Sequence, residues 1–469
     1  MNPSVLSFPR NVPPAEALSS LTLDRLTSYL FSWQQGAGVY GGLHLHSCWG
    51  ETSVIKRHYH GQTTFQCTAW MRGMMRLFER TGDPFWRAQA ADFVANLLYL
   101  CRGGGFIHAS NEFEPTYSNM QTCPIHQGMP LLAMMDYYEW EHAEPFLKER
   151  IGPAIDAHWD WFQEHFWKRG NWGGESQISH AGWCGVTNQD IVIIAALARQ
   201  ARIFGKTERY EAFGKPALDA LISPMFYHES LGLFRRGDFN RHDFVERTFY
   251  YGIILNAFQA AYDSTGDSRL SAVIENVSSH LFDAAFIAED GRTHLSWGAD
   301  VENGILKGWV RGPVPIPSYP VLLPWMRKYL AAHPDAEKQR IYDGIETTLA
   351  GYVFADGTIP AAVKTPDAIF AAVPNSELVH FWAFLIDHLG DSVEAVRRDR
   401  FVSVIRSAGD LVWQSTPDYW RLFRSDKPAY SGFKPDISGI VDGEGPLPHG
   451  DVFAWHEPEC RETVEILPA

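Results

Sequence analysis

The sequence predicts an all-α protein, a closed toroid of six helical hairpins with short β-hairpin connectors. Three observations support this prediction. Helical patterns recur in pairs, the first helix of each pair is apolar on nearly all sides, and a short extended segment that begins with Gly follows most pairs. A fully buried helix followed by one with a solvent face is typical of an inner and an outer helix. The pattern therefore favours a closed ring over an open helical solenoid.

Short breaks separate the two helices of each pair. They are "TGDP" (81–84), "EHAEP" (141–145), "FGKTE" (204–208), "TGDS" (265–268), "AHPDA" (332–336) and "LGDS" (389–392). Gly can end one helix, and Asp, Ser or Thr can begin the next. The first helices are predicted to begin near Gln62, Gln127, Asn188, Glu246, Ser318 and Ser376, at a spacing of roughly 60 residues.

The Gly-led connectors and the chain ends complete the organisation. The connectors are "GGGFIHAS" (103–110), "GNWGGESQ" (170–177), "GLFRRGDF" (232–239), "GRTHLSWG" (291–298) and "GTIPAAVK" (357–364). An additional helix is predicted at about 21–33, the hairpins span about 62–407, and a C-terminal tail, 408–469, is expected to pack on the barrel. No linker rich in Pro, Gly or Ser divides the chain, so residues 1–469 are predicted to form a single domain.

Composition limits the classes of function. The net charge of −15 disfavours binding to nucleic acid, whose phosphates such a surface repels. We find no apolar run of about 18 residues, so no membrane span is expected. The N-terminus lacks the pattern of a signal peptide, and the six Cys are scattered, so a cytoplasmic protein with reduced thiols is predicted. The oligomeric state stays open, and a dimer is among the states that the sequence allows.

The number and order of the hairpins and the Gly-led connectors resemble the six-hairpin (α/α)6-barrel carbohydrate-active enzymes, over about residues 20–407. This superfamily includes unsaturated glucuronyl hydrolases, other glycosidases, N-acylglucosamine 2-epimerase-like isomerases and the toroidal domains of some polysaccharide lyases. The resemblance implies that the N-termini of the inner helices, and the segments that lead into them, line one mouth of the barrel.

Those leading segments are rich in the residues that a sugar site needs. Trp rings stack on the apolar face of a pyranose, polar groups bind its hydroxyls, and a carboxylate pair can cleave a glycosidic bond. The predicted catalytic residues are Asp190 and Glu246, with Asp243 and Glu377 as substitutes. The predicted substrate-binding residues are His58, His60, His126, His180, Trp183, Asn188, Arg241, Arg247, Trp297, His380 and Trp382. Each also has a structural interpretation: Asn188 suits an N-cap, and Trp183 suits the core.

The primary hypothesis is a glycoside hydrolase that acts on an oligosaccharide. A uronic acid is one candidate component of the substrate, since Arg241 or Arg247 could bind its carboxylate in a bidentate fork. One alternative is a sugar epimerase or isomerase that uses a pair of His residues. Another is a polysaccharide lyase, with Tyr59, Tyr117 or Tyr250 as the base. No cofactor is predicted, and no metal either, because the HxH at 58–60 lacks spaced Cys partners.

Overall fold

The computed structural model describes residues 17–32, 34–35, 39–40, 67–101, 105–106, 124–167, 182–237, 245–311, 316–354, 357–359, 362–365, 368–370 and 378–393. These residues form twelve helices and ten short strands. In chain order the helices are α1 (Ser20–Ser32), α2 (Cys67–Thr81), α3 (Pro84–Leu100), α4 (Pro124–Glu139), α5 (Pro145–Phe166), α6 (Thr187–Phe204), α7 (three contiguous pieces, Thr207–Arg209, a π-helical turn Tyr210–Gly214, and Lys215–Leu221), α8 (Thr248–Thr265), α9 (Ser268–His280), α10 (Ser318–Ala332), α11 (Ala336–Gly351) and α12 (Leu378–Leu389).

The even-numbered helices form a closed inner ring. Each of α2, α4, α6, α8, α10 and α12 contacts the next, and α12 contacts α2. The apolar character of these helices explains their position: every residue of α6 from Thr187 to Gln200 is buried. The closed ring confirms the predicted toroid over an open solenoid.

The odd-numbered helices lie outside this ring. Each of α3, α5, α7, α9 and α11 follows its inner partner after one of the predicted breaks. Asp267 and Asp335 cap α9 and α11 with side-chain oxygens that accept main-chain N–H groups, as the "TGDS" and "AHPDA" breaks suggested. The outer helix predicted for the sixth hairpin, at about 393–407, lies almost entirely outside the described residues, as does the tail 408–469.

Helix α1 occupies the outer position beside α12. Trp382 of α12 donates a hydrogen bond from Nε1 to Oγ1 of Thr27, at 2.9 Å, and Ser20 donates one to the carbonyl of Ser392. Trp382 also packs on Trp70, with ring centroids 4.8 Å apart. Gly73 allows this approach, because a Cβ at that position would overlap the Trp382 ring. The N-terminal helix, predicted only as an addition to the hairpins, thus covers the last inner helix.

The strands form five separate two-stranded antiparallel hairpins. They are β1 (Gln34–Gln35) with β2 (Val39–Tyr40), β3 (Tyr227–His228) with β4 (Leu233–Phe234), β5 (Ala285–Ile287) with β6 (Thr293–Leu295), β7 (Gly298–Glu302) with β8 (Ile305–Val310), and β9 (Ala362–Thr365) with β10 (Ala368–Phe370). Three predicted Gly-led connectors, those beginning at 232, 291 and 357, contain β4, β6 and β9. Among the described helices, none is long and apolar enough to cross a membrane.

Candidate active site

Asp190, in the first turn of α6, is a buried carboxylate that binds the preceding turn. Its Oδ1 accepts hydrogen bonds from the main-chain N–H groups of Trp183 (3.3 Å) and Cys184 (3.1 Å), and its Oδ2 accepts one from Gly185 (3.0 Å). A Cβ at Gly182 would lie 2.8 Å from Oδ2, so glycine is needed there. Burial raises the pKa of Asp190 to about 6, although the N–H groups lower it. The side chain thus holds a fixed position and releases its proton close to neutral pH.

Glu246 is a second buried carboxylate at the same helix end. Its side chain is 0% exposed, and its Oε2 pairs with Nη1 of Arg236 at 3.0 Å. Its Oε1 accepts a hydrogen bond from the main-chain N–H of Asn188, two residues before Asp190, at 3.2 Å. Burial raises the pKa of Glu246 above its ordinary value, and Arg236 opposes that rise. Both predicted catalytic acids therefore accept main-chain N–H groups at, or just before, the N-terminus of α6.

The contact with Glu246 also corrects the capping role suggested for Asn188. The N-cap of α6 is Val186, which makes no side-chain cap, and Asn188 is the second residue of the helix. The free N–H of Asn188 is satisfied by Glu246, from the segment that precedes α8, rather than by a cap from its own segment. The carboxylate charge at this position also interacts favourably with the helix dipole.

One short segment, residues 233–237, fixes these two helix starts relative to each other. The main-chain N–H of Thr187 donates to the carbonyl of Arg236 at 3.0 Å, and Val186 bridges Gly237. On the other side, the N–H of Glu246 donates to the carbonyl of Phe234 at 2.8 Å. Arg236 lies in this segment, so the same main chain that aligns α6 and α8 also delivers the guanidinium to Glu246.

Two arginines and two aromatic rings extend the site from Glu246. The Arg236 guanidinium lies 5.2 Å from the ring centroid of Tyr250, and that of Arg247 lies 4.6 Å from the ring of Trp297. Tyr250 favours the charged form of both guanidinium groups and so acts to raise their pKa values. The pKa of Arg247 is lowered, chiefly by burial and also by the positive charge of Arg236. Tyr250 and Glu246 act in the opposite direction and raise it. We call this group the α6–α8 cluster: Asn188, Asp190, Arg236, Glu246, Arg247, Tyr250 and Trp297.

The structure places two predicted tryptophans elsewhere. Trp183 is 0% exposed, packs on Phe162 and Trp167, and donates a hydrogen bond from Nε1 to Gln163 at 2.6 Å. Its ring therefore faces the outer layer and α5. Trp382 is also 0% exposed, between α2 and α1. The predicted sugar-stacking role of both rings is wrong, because neither has a face left for a ligand.

The two described histidines among the predicted residues lie in the first turns of α4 and α12. His126 is half-buried. His380 lines a cavity of about 260 Å³ between the inner helices α2, α4, α8, α10 and α12, which we call the axial cavity. The ring centroid of His380 lies 6.4 Å from that of Phe249 on α8. Burial lowers the pKa of His380 to about 4. His380 is therefore neutral near pH 7, and its lowered pKa makes it a weak base there.

Six predicted site residues lie outside the described residues: His58, His60, His180, Arg241, Asp243 and Glu377. Arg236 was not among the predicted residues, although it is the direct partner of Glu246. The signal for it was the density of charges around Glu246 in "RRGDFNRHDFVER", a segment in which Arg241 and Arg247 were the arginines predicted to bind substrate. Within the described part of the chain, no group of three or more His, Cys, Asp or Glu residues is arranged to hold a metal ion.

Comparison with solved structures supports the fold. A D-mannose isomerase aligns with a TM-score of 0.53 and 10% identity, over 81% of this chain and 100% of the isomerase. The unsaturated glucuronyl hydrolase of Bacillus sp. GL1 aligns with a TM-score of 0.50 and 12% identity, over 81% of this chain and 98% of the hydrolase. No family model and no curated protein matches the sequence. The chain therefore has the (α/α)6-toroid fold that its hairpin pattern predicted.

Proposed function

We propose that the protein is a carbohydrate-active enzyme, and specifically a glycoside hydrolase with its reaction centre at the α6–α8 cluster. The observation that carries this proposal is the pair of buried carboxyl groups, Asp190 and Glu246, at the N-terminus of one inner helix. Hydrolysis of a glycosidic bond needs one carboxyl group that is protonated and a second that is ionised. Burial favours the protonated form, and a cationic partner favours the ionised form, so two such groups can divide these roles.

The surroundings assign the role of each acid. Glu246 has a guanidinium partner, Arg236, at 3.0 Å, which favours its ionised form as base or nucleophile. Asp190 accepts hydrogen bonds from main-chain N–H groups and contacts no cation among the described residues, and its pKa of about 6 keeps it protonated in weakly acidic solution, as a general acid requires. Trp297, stacked against Arg247, offers an aromatic wall beside the acids.

The names of the aligned proteins support a carbohydrate substrate, because one is a D-mannose isomerase and the other an unsaturated glucuronyl hydrolase. His380 favours a second candidate function, sugar isomerisation or epimerisation. Its neutral imidazole lines the axial cavity, where its N–H could donate a hydrogen bond to the carbonyl group of a sugar and polarise it.

One incubation series tests these functions together. The purified protein is given a panel of neutral and uronic oligosaccharides, and three signals are followed: new reducing ends, ultraviolet absorbance from a new C=C bond, and uptake of deuterium from solvent. Reducing ends without the other two signals support the hydrolase. Deuterium uptake without reducing ends supports the isomerase or epimerase, and new absorbance supports a lyase. The last two outcomes would contradict the hydrolase.

The pKa of Asp190 predicts how hydrolysis depends on pH. A general acid must carry its proton, so kcat/KM is expected to fall as the pH rises through about 6. Asp190→Asn cannot donate a proton and should lower kcat by about 10²–10⁴-fold. A wild-type rate that stays constant from pH 5 to pH 8, or an Asp190→Asn variant with full activity, would remove Asp190 from this role.

Asn188 is expected to bind the substrate. Its Oδ1 is buried, and among the described residues it has no hydrogen-bond partner. A sugar hydroxyl could donate to it beside Glu246. Asn188→Ala should therefore raise KM about tenfold, because a lost hydrogen bond of this kind is worth about 1–2 kcal/mol. Its free energy of unfolding should change little, since the variant also removes a buried unsatisfied acceptor. Steady-state kinetics and urea unfolding measure the two effects, and an unchanged KM would contradict the role.

A further inference from the structure

The axial cavity has a polar end far from the α6–α8 cluster. It extends from His380 in the first turn of α12 to Asp387 near the end of that helix, a distance of about 10 Å along the helix axis. At the Asp387 end its lining includes Arg72 and Arg76 of α2, Lys328 of α10 and Asn256 of α8. The inner helices α2, α4, α6, α8 and α10 each lead into an outer helix at this end, which is the end opposite the helix N-termini.

Cationic side chains outnumber carboxylates at this end. Three cations, Arg72, Arg76 and Lys328, line the cavity with one carboxylate, Asp387. The carboxylates are also shared: Asp387 pairs with both Arg76 and Arg80, and Asp136 pairs with both Arg72 and Arg199. Lys328 bonds to an uncharged partner, the amide oxygen of Gln259, at 2.8 Å. In a chain of net charge −15, such a concentration of cations is a local exception.

Arg72 and Arg76 lie close to other cations and away from the end of their helix. Burial, and after it the charges of Arg72 and Arg80, lower the pKa of Arg76, although Glu79 and Asp136 oppose the shift. Helix C-termini attract cations, but this attraction is confined to about the last turn. Arg72 lies nine residues before the end of α2 at Thr81, and Arg76 lies five before it, so the helix dipole does not explain the position of either.

We propose that this end of the cavity binds a small anion that carries a carboxylate or phosphate group. The guanidinium of Arg76 and the ammonium of Lys328 would bind the anionic oxygens, and the amide of Asn256 could bind an adjoining hydroxyl. Trp325, which lines the same wall 4.9 Å from Lys328 Nζ, would contact the apolar part of the ligand. The volume of about 260 Å³ is just below the range of about 300–1,000 Å³ for small-molecule sites, so the ligand should be a small one. This site does not depend on the reaction proposed for the mouth.

Calorimetric titration of the full chain at constant ionic strength tests the site. The probes are inorganic phosphate, glucuronate and, as an uncharged sugar, glucose. Saturable binding of phosphate or glucuronate, or of both, is expected, and it identifies which anionic group is preferred. Glucose should bind at least about tenfold more weakly than the preferred anion, since it offers no charge to the guanidinium and ammonium groups.

Matched variants locate the binding. Lys328→Gln and Arg76→Gln should each weaken the anion about tenfold, as expected for loss of one charge-assisted hydrogen bond. Arg327→Gln removes an exposed cation next to Lys328 that does not line the cavity, and it should leave the affinity unchanged. Lys328 is exposed, so its variant should fold even if that of Arg76 does not. The proposal is overturned if neither anion binds, if glucose binds as tightly, or if Lys328→Gln binds like Arg327→Gln.

Discussion

Asp136→Ala is expected to lower the free energy of unfolding by about 3–5 kcal/mol, the usual effect of removing one partner from a buried ion pair. Asp136 lies on α4 and is 11% exposed; it pairs with Arg199 of α6 at 2.6 Å and with Arg72 of α2 at 2.9 Å. Burial would raise the pKa of Asp136, but the two guanidinium groups hold it below its ordinary value. Without this carboxylate, Arg199 stays buried, at 7% exposed, with a single carboxylate partner, Glu139.

Denaturant unfolding with an unchanged m-value would measure this loss. Asp219→Ala is the matched control, because Asp219 is 48% exposed and pairs with Arg269, which is 49% exposed. Exposed pairs of this kind contribute about 0–1 kcal/mol. Through its two ion pairs Asp136 links three consecutive inner helices, α2, α4 and α6. If the two variants lost a similar amount of stability, this link would contribute no more than an exposed ion pair.

Glu246→Gln is expected to reduce kcat by about 10²–10⁴-fold on the substrate that the oligosaccharide panel identifies. The amide keeps the shape of the side chain and can still accept the hydrogen bond from Asn188, but it can act neither as a base nor as a nucleophile. The two acids should also differ in their pH profiles. The Asp190→Asn profile should lack the fall above about pH 6, whereas Glu246→Gln should lose activity at every pH.

The control for this variant is Glu211→Gln, which alters a carboxylate that is 54% exposed and pairs with Lys215. It should retain wild-type kcat and KM. A Glu246→Gln protein that folds like the wild type and retains its activity would remove Glu246 from the reaction. The axial cavity and His380 would then become the better place to search for the chemistry.

The helices were predictable because their signals are local. Gly at the breaks ends a helix by adopting a left-handed main-chain conformation, and Asp begins the next helix by accepting main-chain N–H groups with its side chain. An inner helix such as α6 shows its burial in every residue of "IVIIAALA". The start of α10 at Ser318 agrees with the prediction, and α8 begins two residues after the predicted Glu246. The position of α1 against α12 was not predictable, since it depends on a contact between residues 355 apart.

The side-chain directions at the site were only partly predictable. The sequence shows which segment precedes each inner helix, because the segment adjoins the helix. The turns within the segment, however, determine the direction of each side chain. The main chain around Trp183 is held by Asp190, and this turn sends the indole to Gln163 on the outer layer. Arg72 and Arg76 were not predicted as site residues, and the reason is their place in the helix rather than the direction of their side chains. They lie inside an inner helix, four residues apart and therefore on one face, whereas the predicted site was confined to the helix starts and the segments that precede them.

The pairing of α1 with α12 has a consequence for folding. Neighbouring hairpins can associate as the chain emerges from the ribosome, but the ring closes only when α12 meets α2, and α1 covers that junction. Contacts between such distant parts of a chain form slowly, because the loop between them must first be closed. An incomplete ring would leave Trp70 and the α12 side of the axial cavity in solvent. A chain in which the ring has not closed is therefore expected to be more prone to aggregate than the folded protein.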